Sequence, residues 1–263
     1  MKGTIISVIN NKGGVGKSSV SSTLGHALTR QGKRVLVVDN DPQGNATSLL
    51  LPRNSPLSNT LYEFLDLETK APVEKCIHAT QYDGLFCIPN IPETGNLEPS
   101  LITSQTFDAF KNKLRPYAQE TFDFTIIDNP PNMGTFVITS LYGSDFVIIP
   151  TLANSAFSID GLLQAIQLIE TIREAGNRDL KFLKLLINQV DKRKSISRYN
   201  IAQIKQHFPS DKIFNTMIPT NAPFETAESK GITIFQEAPS SNGCKAYRQL
   251  AKELLTMFAT SGG

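Results

Sequence analysis

Runs such as Val35-Leu36-Val37-Val38 and Phe146-Val147-Ile148-Ile149 are apolar without alternation. A strand with one face in water alternates apolar and polar residues, whereas a strand covered by helices on both faces does not. β-Branched runs of this kind predict strands over Thr4–Ile9, Arg34–Asp39, Leu85–Ile88, Phe124–Asp128, Phe146–Pro150, Phe182–Ile187 and Lys212–Met217. Helical patterns fill the gaps, over Lys17–Gln31, Phe107–Leu114, Gly134–Leu141, Ser158–Ala175, Ser195–His207 and Lys245–Phe258. Ser158 reads as the cap of a helix whose apolar positions include Leu162, Leu163, Ile166, Leu168 and Ile169. Strand–helix alternation along the chain predicts an α/β fold, with a single doubly wound, mostly parallel sheet and helices on both faces. The polar stretch Pro52–Asn59 reads as a loop inside this unit, because the patterns resume on both sides, so residues 1–263 read as one domain.

Composition narrows the class. Hydrophobic residues make up 40% and charged residues 19%, which excludes a disordered chain. Lys and Arg number 26 against 24 Asp and Glu, so the formal charge of +2 excludes nucleic-acid binding through bulk charge but leaves room for a local basic patch. Cys76, Cys87 and Cys244 are few, scattered and odd in number, which argues against a disulfide framework or zinc site and for a reducing compartment. The apolar run Thr4–Ile9 is too short for a signal-peptide core, and no run approaches the roughly 20 residues of a membrane span. A cytoplasmic protein is expected.

The most informative stretch is Asn10-Asn11-Lys12-Gly13-Gly14-Val15-Gly16-Lys17-Ser18-Ser19, between a strand and a helix. Glycines let backbone N–H groups converge on phosphate oxygens, and a helix N-terminus adds positive potential. Lys17 is placed to reach β- and γ-phosphates, and the Ser18 hydroxyl to take a Mg²⁺ position. Asn11 stands where the usual pattern has its first glycine, and Lys12 is a second lysine at the front of the loop, suited to point outward. Two strands end in acid: Arg34–Asp39 leads into Asp39-Asn40-Asp41-Pro42-Gln43-Gly44-Asn45, and Phe124–Asp128 into Asn129-Pro130-Pro131. In a doubly wound sheet such ends form the ligand crevice, where carboxylates hold a Mg²⁺ or its water or orient an attacking water.

Together these segments resemble the deviant Walker motifs of the ParA/MinD ATPases, and are closest to the ParA-type partition ATPases. The likeness continues in Ile149-Pro150, Ile218-Pro219-Thr220-Asn221 and Ala246-Tyr247-Arg248-Gln249-Leu250-Ala251-Lys252-Glu253, covering nearly the whole chain. The resemblance implies a P-loop fold that binds ATP and Mg²⁺ and hydrolyses slowly, two protomers enclosing two nucleotides. Gly13, Gly14, Val15, Gly16, Lys17, Ser18 and Ser19 match its phosphate site. Asn188 and Pro219 are carried over as nucleotide contacts, and Ser18, Asp39 and Asp128 as the metal set. Lys12 would contact phosphate across the homodimer, Lys17 the phosphates of its own site, and Asp41 would position the hydrolytic water. Implied partners are a ParB-like centromere-binding protein and non-specific DNA, which would make the protein nucleoid-associated.

Departures from the pattern leave choices open. Asn129 stands where the family usually has Cys. Asn188-Gln189-Val190-Asp191 is spaced like a guanine-reading Asn-Lys-x-Asp motif without its lysine, so Asn188 is either a base contact or strand-end turn chemistry. Arg193 aligns with a basic position of the partition ATPases, and Lys192, Lys194 and Arg198 thicken that patch, but Thr220 and Pro223 stand where many relatives carry arginines. No extension precedes the phosphate loop, so a helix-turn-helix operator module is not expected. The alternative reading is a MinD-like membrane-cycling ATPase. It wants a basic amphipathic C-terminal helix, whereas Lys245–Phe258 is followed by Ala259-Thr260-Ser261-Gly262-Gly263, so stable membrane anchoring is not expected. The cysteines do not match a nitrogenase-type iron protein.

Overall fold

The computed structural model describes residues 2–104, 107–154 and 159–260. Among the described residues, seven strands form one sheet: β1 (Thr4–Val8), β2 (Val35–Asp39), β3 (His78–Ala79), β4 (Leu85–Ile88), β5 (Phe124–Asp128), β6 (Phe146–Leu152) and β7 (Lys181–Asn188). Their order is β3-β4-β2-β5-β1-β6-β7, and every neighbouring pair is parallel except β3 with β4 at one edge. The helices are α1 (Lys17–Thr29), α2 (Asn45–Leu50), α3 (Leu61–Leu65), α4 (Glu98–Thr103), α5 (Arg115–Thr121) and α6 (Thr135–Gly143), then α7 (Ile159–Ala175), α8 (Ser195–His207), α9 (Pro223–Lys230), α10 (Ile234–Glu237) and α11 (Asn242–Thr260).

Unbroken apolar strands do become strands covered on both faces. β2 and β5 are buried at every position. On one face Ile6, Val8, Val35, Val37, Ile126 and Ile148 pack with Leu24 and Leu28 of α1 and Leu250 and Leu254 of α11. The intervening residues face the other way: Ile5, Leu36, Val38 and Ile127 pack with Phe64 of α3 and Ala118 of α5. Val147, Ile149, Leu185 and Ile187 continue that second face under α6, α7 and α8. The two-residue period of the strand assigns neighbours to opposite cores. Gly25 lets α1 lie close on the sheet, since a Cβ there would stand 2.9 Å from Val37 Cγ2.

Two of the expected elements take another form. Lys212–Met217 is not a strand. Phe214 N and Ile218 N donate to Leu185 O (2.9 Å) and Ile187 O (3.0 Å), but the amides between them, Asn215 and Thr216, donate to the two oxygens of Glu253 at 2.8 and 2.9 Å. The carboxylate takes the donors a ladder would need, leaving one isolated bridge from Ile213 to Leu185. The helix expected over Phe107–Leu114 is a wide π turn at Phe110–Leu114 that runs into α5. Pro116 has no N–H to close the ordinary bond to Asn112, which favours the wider turn. The expected cap, Ser158, lies outside the described residues, and its helix is described from Ile159. The edge strand β3, two residues long, carries no periodicity to read.

Asp145 ties the ends of the second face together. Its Oδ2 accepts Ile5 N at 2.8 Å, its Oδ1 pairs with Arg115 Nη2 at 2.5 Å, and its carbonyl accepts Lys181 N at 2.9 Å. Asp145→Ala leaves Arg115 and the Ile5 amide without that carboxylate, and we expect a loss of about 2–3 kcal/mol in urea unfolding. Asp145→Asn, which keeps one acceptor, should lose roughly half of that.

Candidate functional site

β2, β5 and β1 lie side by side, and the phosphate loop and both acidic turns leave their C-terminal ends. Val8, Asp128 and Asp39 are partners in the sheet register, so the phosphate loop and both acidic turns start from one row. Asn10 pins the loop's root by donating from Nδ2 to Pro150 O (2.7 Å) and accepting Lys12 N at Oδ1 (2.9 Å). Gly14 (φ 72°) and Gly16 (φ 84°) take the left-handed backbone that the loop requires and that glycine adopts without steric penalty. A Cβ on Gly16 would also stand 2.7 Å from Asn188 Nδ2. The loop feeds α1 at Lys17 and borders a cleft of about 410 Å³ whose walls include Gly13, Gly14, Lys17, Ser18, Ser19 and Asp41. Val15 is buried behind it, and Lys12 is exposed at its front.

Lys17 is buried, with Nζ 3.5 Å from Lys12 O. Burial pulls its ammonium below the ordinary lysine value, and the charges of Asp128 and Asp41 oppose that shift. Asp128 accepts from Ser21 Oγ at 3.0 Å on Oδ1, while Oδ2 is buried with no hydrogen-bond partner. Burial and then the neighbouring Asp39 charge push Asp128 up to about 8, against the pull of the Ser18 and Ser21 hydroxyls. Asp39, wholly buried, is pushed up to about 6 by burial. Its oxygens are already used: Thr47 donates N (2.7 Å) and Oγ1 (2.6 Å) to Oδ2, and Asp41 N approaches Oδ1 at 3.3 Å. Asp41 stands on the cleft wall and accepts Gln43 N at 3.0 Å.

The arrangement fits a nucleotide polyphosphate with a divalent cation. Glycine amides and Lys17 line a cleft of suitable size, and a buried carboxylate oxygen beside Ser18 lacks the partner that a buried anion requires. Ser18 and Asp128 would hold the cation, with Asp39 directly behind them.

A second hollow of about 190 Å³ adjoins the cleft and is lined by Asn188, Gln189, Pro219, Thr220, Asn221 and Tyr247 among others. Asn188 and Pro219 thus sit together, as a base site needs. Asn188 also has structural work, since its Nδ2 donates to Val15 O (2.8 Å) and its Oδ1 accepts Gln189 N (2.9 Å). Gln189, at φ 53°, takes Asn154 Nδ2 on its Oε1 at 2.9 Å. Asp191 is held by Arg193 through two contacts of 3.0 Å, and that hydrogen bonding pulls it down to about 2. Lys192, Arg193, Lys194 and Arg198 are all exposed at the start of α8, apart from the cleft walls, and Arg198 caps the carbonyls of Lys192 and Arg193. The patch therefore presents less net charge than its sequence suggests. Thr47 and Glu228, which lines both hollows, had no motif to mark them.

The raised carboxyls give a pH dependence of definite sign. Between the ordinary carboxylate value and about 8, these two groups bind more protons in the folded protein than in the unfolded chain, so their contribution to stability falls as pH rises through that window. A divalent cation needs the ionised acid and displaces the proton. We expect the metal-free thermal midpoint to fall from about pH 5 to about pH 8, and Mg²⁺ affinity to rise over the same range. Calorimetry in buffers of different ionisation enthalpy should show up to about one proton released per Mg²⁺ near pH 7.

The chain matches the model of an AAA domain over residues 3–182. It is 34% identical over 252 residues to the sporulation initiation inhibitor protein Soj of Bacillus subtilis, covering 96% of this chain and 98% of that one. It is 35% identical over 250 residues to the chromosome-partitioning ATPase Soj of Thermus thermophilus, covering 95% and 94%. Cobyrinic acid a,c-diamide synthase of Mycobacterium smegmatis, solved with ADP and magnesium, superposes with a TM-score of 0.82 at 28% identity over 98% of this chain and 96% of that one. The septum site-determining protein MinD of Pyrococcus horikoshii, solved with Mg-ADP, shares the fold at a TM-score of 0.76 and 23% identity, covering 95% of each chain. With its phosphate loop, its two acidic turns and near-complete alignment to these relatives, the chain belongs to the ParA/Soj partition ATPases of the ParA/MinD family.

Proposed function

We propose that this protein, acting as one nucleotide-binding domain, is a Mg²⁺-dependent ATPase that dimerises on ATP and segregates or positions DNA. The observation that carries the reading is the cleft itself, where a buried lysine feels the charges of Asp128 and Asp41 while a second lysine stands exposed at the loop's front. Lys17 neutralises charge on the bound phosphates and Asp41 orients the attacking water. Mg²⁺, when bound, withdraws charge from the phosphate oxygens. Lys12, exposed at the front of the loop, reaches the partner's nucleotide. Hydrolysis, stimulated by a ParB-like centromere-binding protein, ends the dimeric state.

DNA contact belongs to Lys192, Lys194 and Arg198, with Arg193 contributing less because Asp191 pairs with it. This gives a cytoplasmic protein that rides on the nucleoid. The membrane-cycling alternative loses support from α11, whose Tyr247, Leu250, Ala251 and Leu254 are buried in the core. Among the described residues, no helix is long and apolar enough to cross a membrane.

Two experiments test the reading. Lys17→Ala should abolish nucleotide binding, Lys12→Ala should keep binding while losing ATP-dependent dimerisation, and Asp41→Ala should collect as an ATP-bound dimer with hydrolysis slowed about 100-fold or more. Sizing chromatography and phosphate release check all three, and a monomeric Asp41→Ala with ATP would move the water-positioning role elsewhere. For DNA, two to four phosphate contacts per protomer give the dimer a log–log salt slope of roughly −4 to −7. Removing four contacts per dimer with Lys192→Ala/Lys194→Ala should flatten it by roughly 3 to 4 units. Polarisation of a labelled random duplex, with and without ATP, reads both.

A further inference from the structure

Behind the row of acids lies a row of amides that the mechanism above does not use. Asn40 and Asn129 follow Asp39 and Asp128 by one residue and are wholly buried. Because a strand's side chains alternate, they face away from Ser21 and Thr47, toward α6. Asn40 Nδ2 donates to Asn129 Oδ1 (2.9 Å) and to Phe136 O in α6 (2.8 Å). Asn129 Nδ2 donates to Ile127 O (3.1 Å) and Val8 O (3.3 Å). Carbonyls accept at both amide nitrogens, which fixes the orientation of each side chain. The Asn40 backbone N–H adds a bond to Asp128 O at 2.8 Å.

The tie therefore joins the end of β2, which leads to Asp41, to the end of β5, which carries Asp128. It also joins both to Val8, the last residue of β1. Asn40 Oδ1 is buried without a partner. A polar pair with one orphaned acceptor is a poor device for stability, since an apolar pair of similar shape packs in the same space without the desolvation cost.

We propose that Asn40 and Asn129 are positioning residues for ATP hydrolysis, a buried amide tie that holds the Asp41 turn in fixed relation to the Asp128 turn and the root of the phosphate loop. The proposal rests on the ATPase reading above. Neither amide lines the phosphate cleft or the adjoining hollow. It sets where the water-orienting carboxylate stands relative to the phosphates, and displacements of about 1 Å at such a distance can slow a reaction on the order of 100-fold.

The test compares wild type, Asn40→Leu, Asn129→Cys and the double variant in steady-state ATP hydrolysis and thermal unfolding, with Lys17→Ala as the blank. We expect kcat to fall roughly 10- to 100-fold in each single variant while KM stays within about threefold. The double variant should be no slower than the slower single, because the pair acts as one unit. Its thermal midpoint should equal or exceed that of wild type. Unchanged kcat in a folded variant, or losses that multiply in the double, overturn the tie. So does a fall in kcat that merely follows a fall in thermal midpoint. A wild type no more active than Lys17→Ala overturns the ATPase reading itself, and the tie with it.

Discussion

Placing two carboxylates in register on adjacent strands, both wholly buried, is the constraint from which the rest of this structure follows. Asp39 and Asp128 are direct partners across β2 and β5. In an apolar interior two such charges repel each other and lack water, so each must be offered donors or a cation, or must hold its proton. The protein supplies donors unequally. Thr47 and the Asp41 amide satisfy Asp39, whereas Asp128 receives Ser21 on one oxygen and has no hydrogen-bond partner on the other. One acid thus organises the turn and its neighbour keeps an unpaired oxygen, a division that neither strand's sequence announces.

The same constraint explains the glycines and amides around the site. Lys17 comes close to the acids because the loop turns through left-handed backbone at Gly14 and Gly16. The loop is braced from β7 by Asn188, whose amide occupies the space a side chain on residue 16 would fill. Asn188 therefore shapes the loop and borders the adjoining hollow at once.

Much of the architecture was legible because burial on both faces writes itself as unbroken apolar runs. β2, β4 and β5 end at or within a residue of where Arg34–Asp39, Leu85–Ile88 and Phe124–Asp128 place them. The loop and acidic turns were legible because phosphate chemistry admits few residue types. What was hidden depends on partners distant in sequence. Lys212–Met217 has the composition of a strand, and Glu253, folded back from the last helix, takes two of its amides. Arg193 reads as a free cation until Asp191 is seen gripping it. Thr47 looks like any helix threonine until Asp39 is found at 2.6 Å.

The Glu253 clasp also gives the end of the chain a say in the middle of it. The segment it holds runs directly into Ile218 and Pro219, and so to the wall of the hollow beside the phosphate cleft. α11 is thus a strut under the nucleotide pocket as well as a lid on the core. A fusion or truncation that unwinds its last turns would be felt as altered ligand residence time while the sheet itself stayed intact.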